Sequence, residues 1–278
     1  MSTPVTVQDY VHFRSQGHLI VRGLVAPDEV GELLDHVTDD RLRVHMLHRR
    51  LEIHERFLLH PGVLDVVQAL IGPDVLALQT MLFTKRPGAP GQGYHQDSFH
   101  ILTFPDTLIG AWLALDRADE ENGCLWITPG SQHEPVYPDV DETAGHGGDR
   151  LLADIHAVSG ADDPDERRNG LTAVAARYDS EIPAVLDPGD VVFFGGRVLH
   201  RSHANRSATR PRRSFVAHYC NARSFVPWDD EPLADGVMAN GRHILARGST
   251  HLPYALPTFT ANVGPAHDGR AARIGAAG

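Results

Sequence analysis

The stretch YHQDSFHI, residues 94–101, sets a histidine and an aspartate two positions apart, His95 and Asp97. Along a β-strand, residues i and i+2 point to the same face. An extended reading therefore sends both side chains to one side and Gln96 to the other. One imidazole and one carboxylate are two-thirds of a 2-His-1-carboxylate facial triad, which holds Fe(II) on one face and leaves positions open for substrates. A His-x-Asp pair also arises by chance, and a solvated strand edge is the plainer reading of the pair alone. The third donor has to come from elsewhere. His200 ends DPGDVVFFGGRVLH, where PGD reads as a turn, VVFF as a buried strand, GG as a bend and VLH as a strand again. His100, His203 and His218 are rival donors, and 18 histidines in the chain make a chance grouping easy.

His200 meets His95 only if the sheet closes on itself, as a double-sheet jelly roll does. The rest of the chain suits that requirement. Residues 1–72 have helical apolar spacing with one strand: TVQDYVHFRSQ stops at Gly17, HLIVRGLV is β-rich, Pro27 opens a helix with acids in its first turn, and HPGVLDVVQALI stops at Gly72. From about 74 to 222 come short apolar or alternating runs split by Gly, Pro and Asp, the pattern of an antiparallel sandwich or barrel. An acidic insert, 138–181, interrupts them, and a segment that long without its own pattern is commonly functional. The tail, 223–278, reads as irregular and is expected to fray at its end. The expectation is one domain over 1–278, mainly β with flanking helices around a jelly-roll, cupin-like core.

A formal net charge of −11 argues against nucleic acid or an anionic membrane as a partner. No apolar run approaches the ~18–20 residues of a membrane span. The first residues lack a basic segment followed by an apolar one, and two cysteines, Cys124 and Cys220, make no disulfide framework, so a cytoplasmic location is expected. Arg197, Arg201, Arg206, Arg210, Arg212, Arg213 and Arg223 fall in a stretch with no acid, which suggests a site for a small anion, although most of them are expected to be solvated. Lys85, the only lysine, is expected at the solvated surface. Asn122-Gly123 and Pro129-Gly130 are turn dipeptides, expected to set strand registers rather than touch substrate.

Taken in order, YHQD, GAWLALDRADEENGCLWITPGSQHEP, PGDVVFFGGRVLHRSHANRS and RRSFVAHY resemble the phytanoyl-CoA dioxygenase family of Fe(II)- and 2-oxoglutarate-dependent oxygenases. The resemblance runs from about Gln79 to Tyr219 and departs from the family pattern at PGSQH, where the family has PGSH. It implies a double-stranded β-helix fold. It implies that His95, Asp97 and His200 hold Fe(II), and that retention of Asp97 favours oxygenation over halogenation. It further implies that Arg212 binds the far carboxylate of 2-oxoglutarate with help from Ser202. Alignment on AHY selects Arg212, and Arg213 stays open as the alternative. Trp112 and Met81 match co-substrate contacts, and Gln79 shares the strand face of Met81. The implied reaction consumes O2 and 2-oxoglutarate, releases succinate and CO2, and hydroxylates a C–H bond of a small-molecule metabolite. Desaturation, cyclisation or epimerisation from the same start, and a non-oxygenase cupin-like metal protein, are the alternatives. The insert 138–181 is expected to act as a lid. No sequence feature assigns an oligomeric state.

Overall fold

The computed structural model describes residues 5–37, 41–137 and 169–259. A reciprocal cap starts the first helix, α1 (Val7–Gln16): Thr6 Oγ1 accepts from the Asp9 amide at 3.1 Å, and Asp9 accepts from the Thr6 amide at 2.9 Å. Gly17 ends it at φ 81°, a conformation that glycine adopts without strain. Strand β1 (His18–Val21) follows, then α2 (Pro27–Asp35), where Pro27 occupies a first-turn position whose N–H has no helical partner in any case. Strand β2 (Arg43–His45) and helices α3 (Glu52–Leu58) and α4 (Pro61–Ile71) complete this part.

The remaining elements in chain order are β3 (Val75–Lys85), β4 (Gln92–His95), α5 (Asp97–His100), β5 (Ile109–Ala114), β6 (Leu125–Ile127), α6 (Leu171–Ala175), β7 (Ile182–Ala184), β8 (Val191–Gly195), β9 (His200–Ser202), β10 (Arg212–Asn221) and β11 (Ile244–Arg247). The larger sheet runs β1-β8-β5-β10-β3-β11, with β2 also paired to β3, and the smaller runs β4-β9-β6-β7. The named strands pair antiparallel throughout. The two sheets face each other as a double-stranded β-helix, the jelly roll expected from the strand pattern.

The larger sheet divides its residues by alternation. Phe215, Ala217 and Tyr219 of β10 join Leu82, Leu113, Phe193 and the helical residues Phe57, Leu58, Leu64 and Val67 in the main core. Burying these apolar side chains drives the helices onto the outer face of the sheet. The Tyr219 hydroxyl donates to the Leu58 carbonyl at 2.7 Å and pins that contact. The next residues along β10, Arg212, Val216 and His218, face the other way into a cavity between the sheets.

Two expectations are corrected. The N-terminal part holds two strands rather than one, because β2 pairs with β3 through Arg43↔Phe83, Val44↔Leu82 and His45↔Met81. Three residues are too few to show a period in sequence, and the exposed edge of β3 is what selects them. The tail is not wholly irregular, since β11 pairs with the other end of β3 through Ile244↔Ala77 and Leu245↔Leu76. The frayed end expected for the tail lies, from residue 260, outside the described residues. So does most of the expected lid, residues 138–168. The described remainder of the insert packs onto the barrel: Leu171, Val174 and Ala175 of α6 cluster with Tyr94, Tyr137 and Leu199.

The turn before β6 is held by a buried side chain. Asn122 donates to the carbonyls of Arg117 at 2.7 Å and Pro211 at 3.3 Å, and accepts from the Asp119 amide at 2.8 Å. Gly123 follows at φ 81°. Replacing Asn122 by alanine removes these three hydrogen bonds from partly buried backbone groups, a loss of about 1–3 kcal/mol. Urea denaturation of Asn122→Ala is expected to show that loss with an unchanged m-value. A change under about 0.5 kcal/mol, the ordinary surface range, would contradict this role.

Candidate active site

His95 closes β4 and His200 opens β9, and the two strands pair with His95 opposite His200. Asp97 is not on a strand. It is the first residue of the one-turn helix α5, which corrects the extended reading of YHQD. The chain turns after Gln96, whose amide nitrogen donates to the carbonyls of Pro135 and Arg197 at 3.0 and 2.9 Å. The turn still delivers Asp97 to the histidines: its Oδ1 lies 3.7 Å from His95 Nε2 and 3.6 Å from His200 Nε2. Among the described residues, His95, Asp97 and His200 form the one cluster whose donor atoms, all within 4.8 Å of one another, suit a metal ion.

Each imidazole is oriented by its own backbone. His95 Nδ1 lies 2.9 Å from the Gly93 carbonyl, and His200 Nδ1 lies 2.9 Å from the Val198 carbonyl. A carbonyl only accepts, so both Nδ1 atoms carry a proton, and the Nε2 atoms are the ones turned toward Asp97, where a metal would take them as donors. Burial, and then His95, push His200 down to about 4 against the pull of Asp97. Burial pulls the Asp97 carboxyl upward, but the surrounding imidazoles of His200, His218 and His95, with the His218 hydrogen bond, outweigh it and hold it well below the usual range. At neutral pH the arrangement is a carboxylate against a neutral His200, the protonation state in which these groups bind a divalent metal.

Asp97 is held from behind. His218 Nε2 donates to Asp97 Oδ2 at 2.9 Å, and the Gln79 amide nitrogen lies 3.1 Å from His218 Nδ1. Gly110 makes room for this: a Cβ there would meet the Phe194 ring at 2.8 Å and Asp97 Oδ2 at 3.4 Å. His218 therefore stands beside the cluster rather than in it. The other rivals are also outside it: the His203 ring packs on Trp126 and the His100 ring centroid is 6.4 Å from that of His95.

The cluster opens on a cavity of about 310 Å³ whose walls include Gln79, Met81, Trp112, Ser202 and Arg212. The structure thus brings His95, Asp97, His200, Gln79, Met81, Trp112, Ser202 and Arg212, the residues that the family resemblance picked out or that share their strand face, to one space and leaves the alternative Arg213 outside it. Arg213 lies on the opposite face of β10 and clamps Asp116 with two hydrogen bonds of 2.8 and 2.7 Å. Arg197, Arg201, Arg210 and Arg223 also pair with carboxylates, and Arg206 is exposed. Arg212 differs from all of them: it is 2 % exposed, and its partners among the described residues are the Gly123 carbonyl at 3.2 Å, Ser214 Oγ at 2.9 Å and the face of Trp112 at 5.3 Å. Burial pushes Arg212 down only to about 10, so it stays cationic at neutral pH. An interior cation without an acid is costly unless an anion joins it.

Lys85 overturns the expectation of a solvated side chain. It is 3 % exposed, and Nζ donates to Ser202 Oγ at 2.8 Å and the His203 carbonyl at 2.7 Å. Both Lys85 and the orienting role of His218 were within reach of strand alternation. Gln79, Met81, Phe83 and Lys85 share one face of β3, opposite His218, Val216, Ser214 and Arg212 of β10.

A jelly roll with a two-histidine, one-carboxylate cluster beside a buried arginine has the layout of a non-haem metal oxygenase. The family model described as phytanoyl-CoA dioxygenase (PhyH) matches residues 35–214, and the chain belongs to that family. It is 27% identical over 172 residues to the peroxisomal phytanoyl-CoA dioxygenase of Bos taurus, covering 60% of this chain and 46% of that protein. It is 30% identical over 189 residues to phytanoyl-CoA dioxygenase domain-containing protein 1 of Danio rerio, covering 67% of this chain and 59% of that protein. The chain thus spans about half the length of the curated relatives it matches. Among solved structures, the non-heme alpha ketoglutarate dependent carbocyclase SnoK from nogalamycin biosynthesis superposes with a TM-score of 0.65 at 17% identity, covering 85% of this chain and 95% of that one.

The donor set predicts one Fe(II) bound per chain in anaerobic titration. His200→Ala is expected to abolish binding and His203→Ala to retain it. His218→Ala is expected to weaken binding roughly ten- to a hundred-fold, because it removes the hydrogen bond that orients Asp97. Metal retention in His200→Ala with loss in His203→Ala would contradict the donor set.

Proposed function

We propose that the protein is an Fe(II)- and 2-oxoglutarate-dependent dioxygenase, one domain over residues 1–278, that hydroxylates a C–H bond of a small-molecule metabolite. The observation that carries this reading is the pairing, within one cavity, of a two-histidine, one-carboxylate cluster with a buried arginine that has no carboxylate partner among the described residues. When bound, iron and 2-oxoglutarate supply the oxidising chemistry, with O2 and 2-oxoglutarate consumed and succinate and CO2 released.

The chain's residues position and shield. His95, Asp97 and His200 offer three donors on one side, as a facial triad requires. Arg212 offers a planar, permanently charged fork suited to a carboxylate, which makes it the residue for the far end of a dicarboxylate. Ser202 and Gln79 add polar atoms to the same wall, and Gln79 Oε1 is buried without a partner among the described residues. Trp112, Met81 and Phe194 keep the interior apolar and exclude bulk water. Arg43, His45, His100, Ile101, Trp228 and Asp230 line the part of the cavity left for substrate. Because a carbocyclase shares this fold, ring formation is the second outcome that the same residues would support.

The reading is tested by succinate formation that requires Fe(II), 2-oxoglutarate and O2 together. A cupin-like isomerase or hydrolase would form none. Arg212→Ala is expected to raise the KM for 2-oxoglutarate roughly ten- to a hundred-fold, the loss of a charge-assisted pair worth ~1.5–3 kcal/mol. Arg213→Ala, which removes a partner of Asp116, is expected to leave that KM nearly unchanged. The opposite pattern would move the co-substrate anchor to the other face of β10.

A further inference from the structure

One wall of the cavity lies outside the proposed co-substrate contacts. It is built by residues 228–231, which follow β10 and are fixed by their neighbours. The Asp229 side chain is fully buried, Arg49 donates two hydrogen bonds to it at 3.1 and 2.7 Å, and Arg242 lies 3.6 Å away. The Glu231 amide donates to Asp229 Oδ1 at 2.9 Å, and the Glu231 carboxylate pairs with Arg242 at 2.6 Å. The Trp228 carbonyl accepts from His243 Nε2 at 3.0 Å, and the His243 ring stacks on the indole, 6.1 Å between centroids and 6° between planes. Trp228 and Asp230 are the residues of this segment that line the cavity.

Asp230 has no charged partner there. Among the described residues, the one basic group within 4 Å is His45 Nδ1, 3.6 Å from Oδ1 and too far for a hydrogen bond. That nitrogen is itself buried and has no hydrogen-bond partner among the described residues. Burial above all pushes the His45 imidazole below its ordinary value against the pull of Asp230, and Arg43 and His218 push it the same way. At neutral pH the imidazole is uncharged and does not offset the carboxylate. Arg43, on the same face of β2 as His45, also lines the cavity but makes no ion pair with Asp230.

The three groups share one complement. A carboxylate draws a cation, an indole face attracts one, and a neutral imidazole nitrogen can accept an N–H. An alkylammonium has three donors and no acceptor, which suits all three partners at once. A hydroxyl would leave the charge of Asp230 unmatched, and an anion would be repelled by it.

We propose that Asp230, with Trp228 and His45, binds a protonated primary amine of the substrate, so that small amines are the substrate class this cavity prefers. The proposal rests on the reading of the cavity as an oxygenase site, because that reading puts the substrate against this wall. The amine anchors one end of the molecule, and the carbon to be oxidised lies toward His95, Asp97 and His200. The Asp230 side chain is 36% exposed, so water competes for it and the pair is weaker than a buried one.

The test is calorimetry at neutral pH on the full chain loaded with Fe(II) and 2-oxoglutarate, without O2. The probes are butylammonium, 1-butanol and butyrate, which carry a cation, a neutral group and an anion on alkyl chains of similar length. The wild-type protein is expected to bind butylammonium roughly tenfold more tightly than 1-butanol, and butyrate most weakly. Asp230→Asn, which removes the charge and keeps the shape, is expected to weaken butylammonium roughly three- to thirtyfold. Its affinity for 1-butanol, its iron content and its 2-oxoglutarate binding are expected to stay at the wild-type level. A wild-type affinity for butylammonium no greater than for 1-butanol, absence of measurable binding included, overturns the proposal. So does an amine preference that survives intact in Asp230→Asn. Both results leave the proposed function standing. An iron-loaded wild-type protein that does not bind 2-oxoglutarate overturns the proposed function, and the substrate assignment with it.

Discussion

The two-residue period of β10 is the constraint on which the site depends. One face of this strand carries Phe215, Ala217 and Tyr219 under α3 and α4, and the other presents Arg212, Val216 and His218 to the cavity. A slip of one residue would exchange the faces, place Arg213 in the interior and leave Asp97 without the imidazole behind it. The slip is opposed by the apolar face, because it would also drive Phe215 and Tyr219 off the helices. The hydrophobic effect on the outside of the sheet therefore sets the chemistry on its inside. Strands β3 and β5 flank β10 and extend the same division, with Gln79 and Met81 on one side and Trp112 on the other facing the same space.

Charge is sorted along that space in an unusual way for an interior. At one end a single carboxylate, Asp97, is surrounded by imidazoles and stays ionised. At the other end Arg212 and Lys85 are cross-strand partners, and neither hydrogen-bonds an acid among the described residues. Elsewhere in the same stretch, arginines are matched to carboxylates, as with Arg213 and Asp116 or Arg210 and Asp119. A buried ionic group left unmatched is more often functional than structural, since stability alone would favour replacing or pairing it. Both ends are incomplete in complementary senses: the first wants a cation and the second an anion.

Much of this was legible in sequence, because alternation and turn residues are local signals. The jelly-roll class follows from short runs and their punctuation, whereas the grouping of His95, Asp97 and His200 and the preference for Arg212 over Arg213 came from the resemblance to the phytanoyl-CoA dioxygenase family, since residue spacing alone left His100, His203 and His218 as rivals. The signals that failed were tertiary. Asp97 reaches the histidines through a helical turn rather than a strand, a turn held by Gln96 contacts with Pro135 and Arg197, which are distant in sequence. β2 and β11 are too short to show a period and exist because β3 offers them an edge. Lys85 was misjudged from its residue type, since lysine is seldom buried. Its position on the Gln79–Met81 face was the better guide.

If one bound molecule joins the two incomplete ends, its place can be observed directly. The decisive measurement is a crystal structure grown without O2 in the presence of Fe(II) and 2-oxoglutarate. The account predicts iron on His95, Asp97 and His200, with the keto-acid end of 2-oxoglutarate at the metal and its far carboxylate on Arg212. Iron on a different set of residues, or a far carboxylate that rests on Arg213 or in solvent, would contradict it.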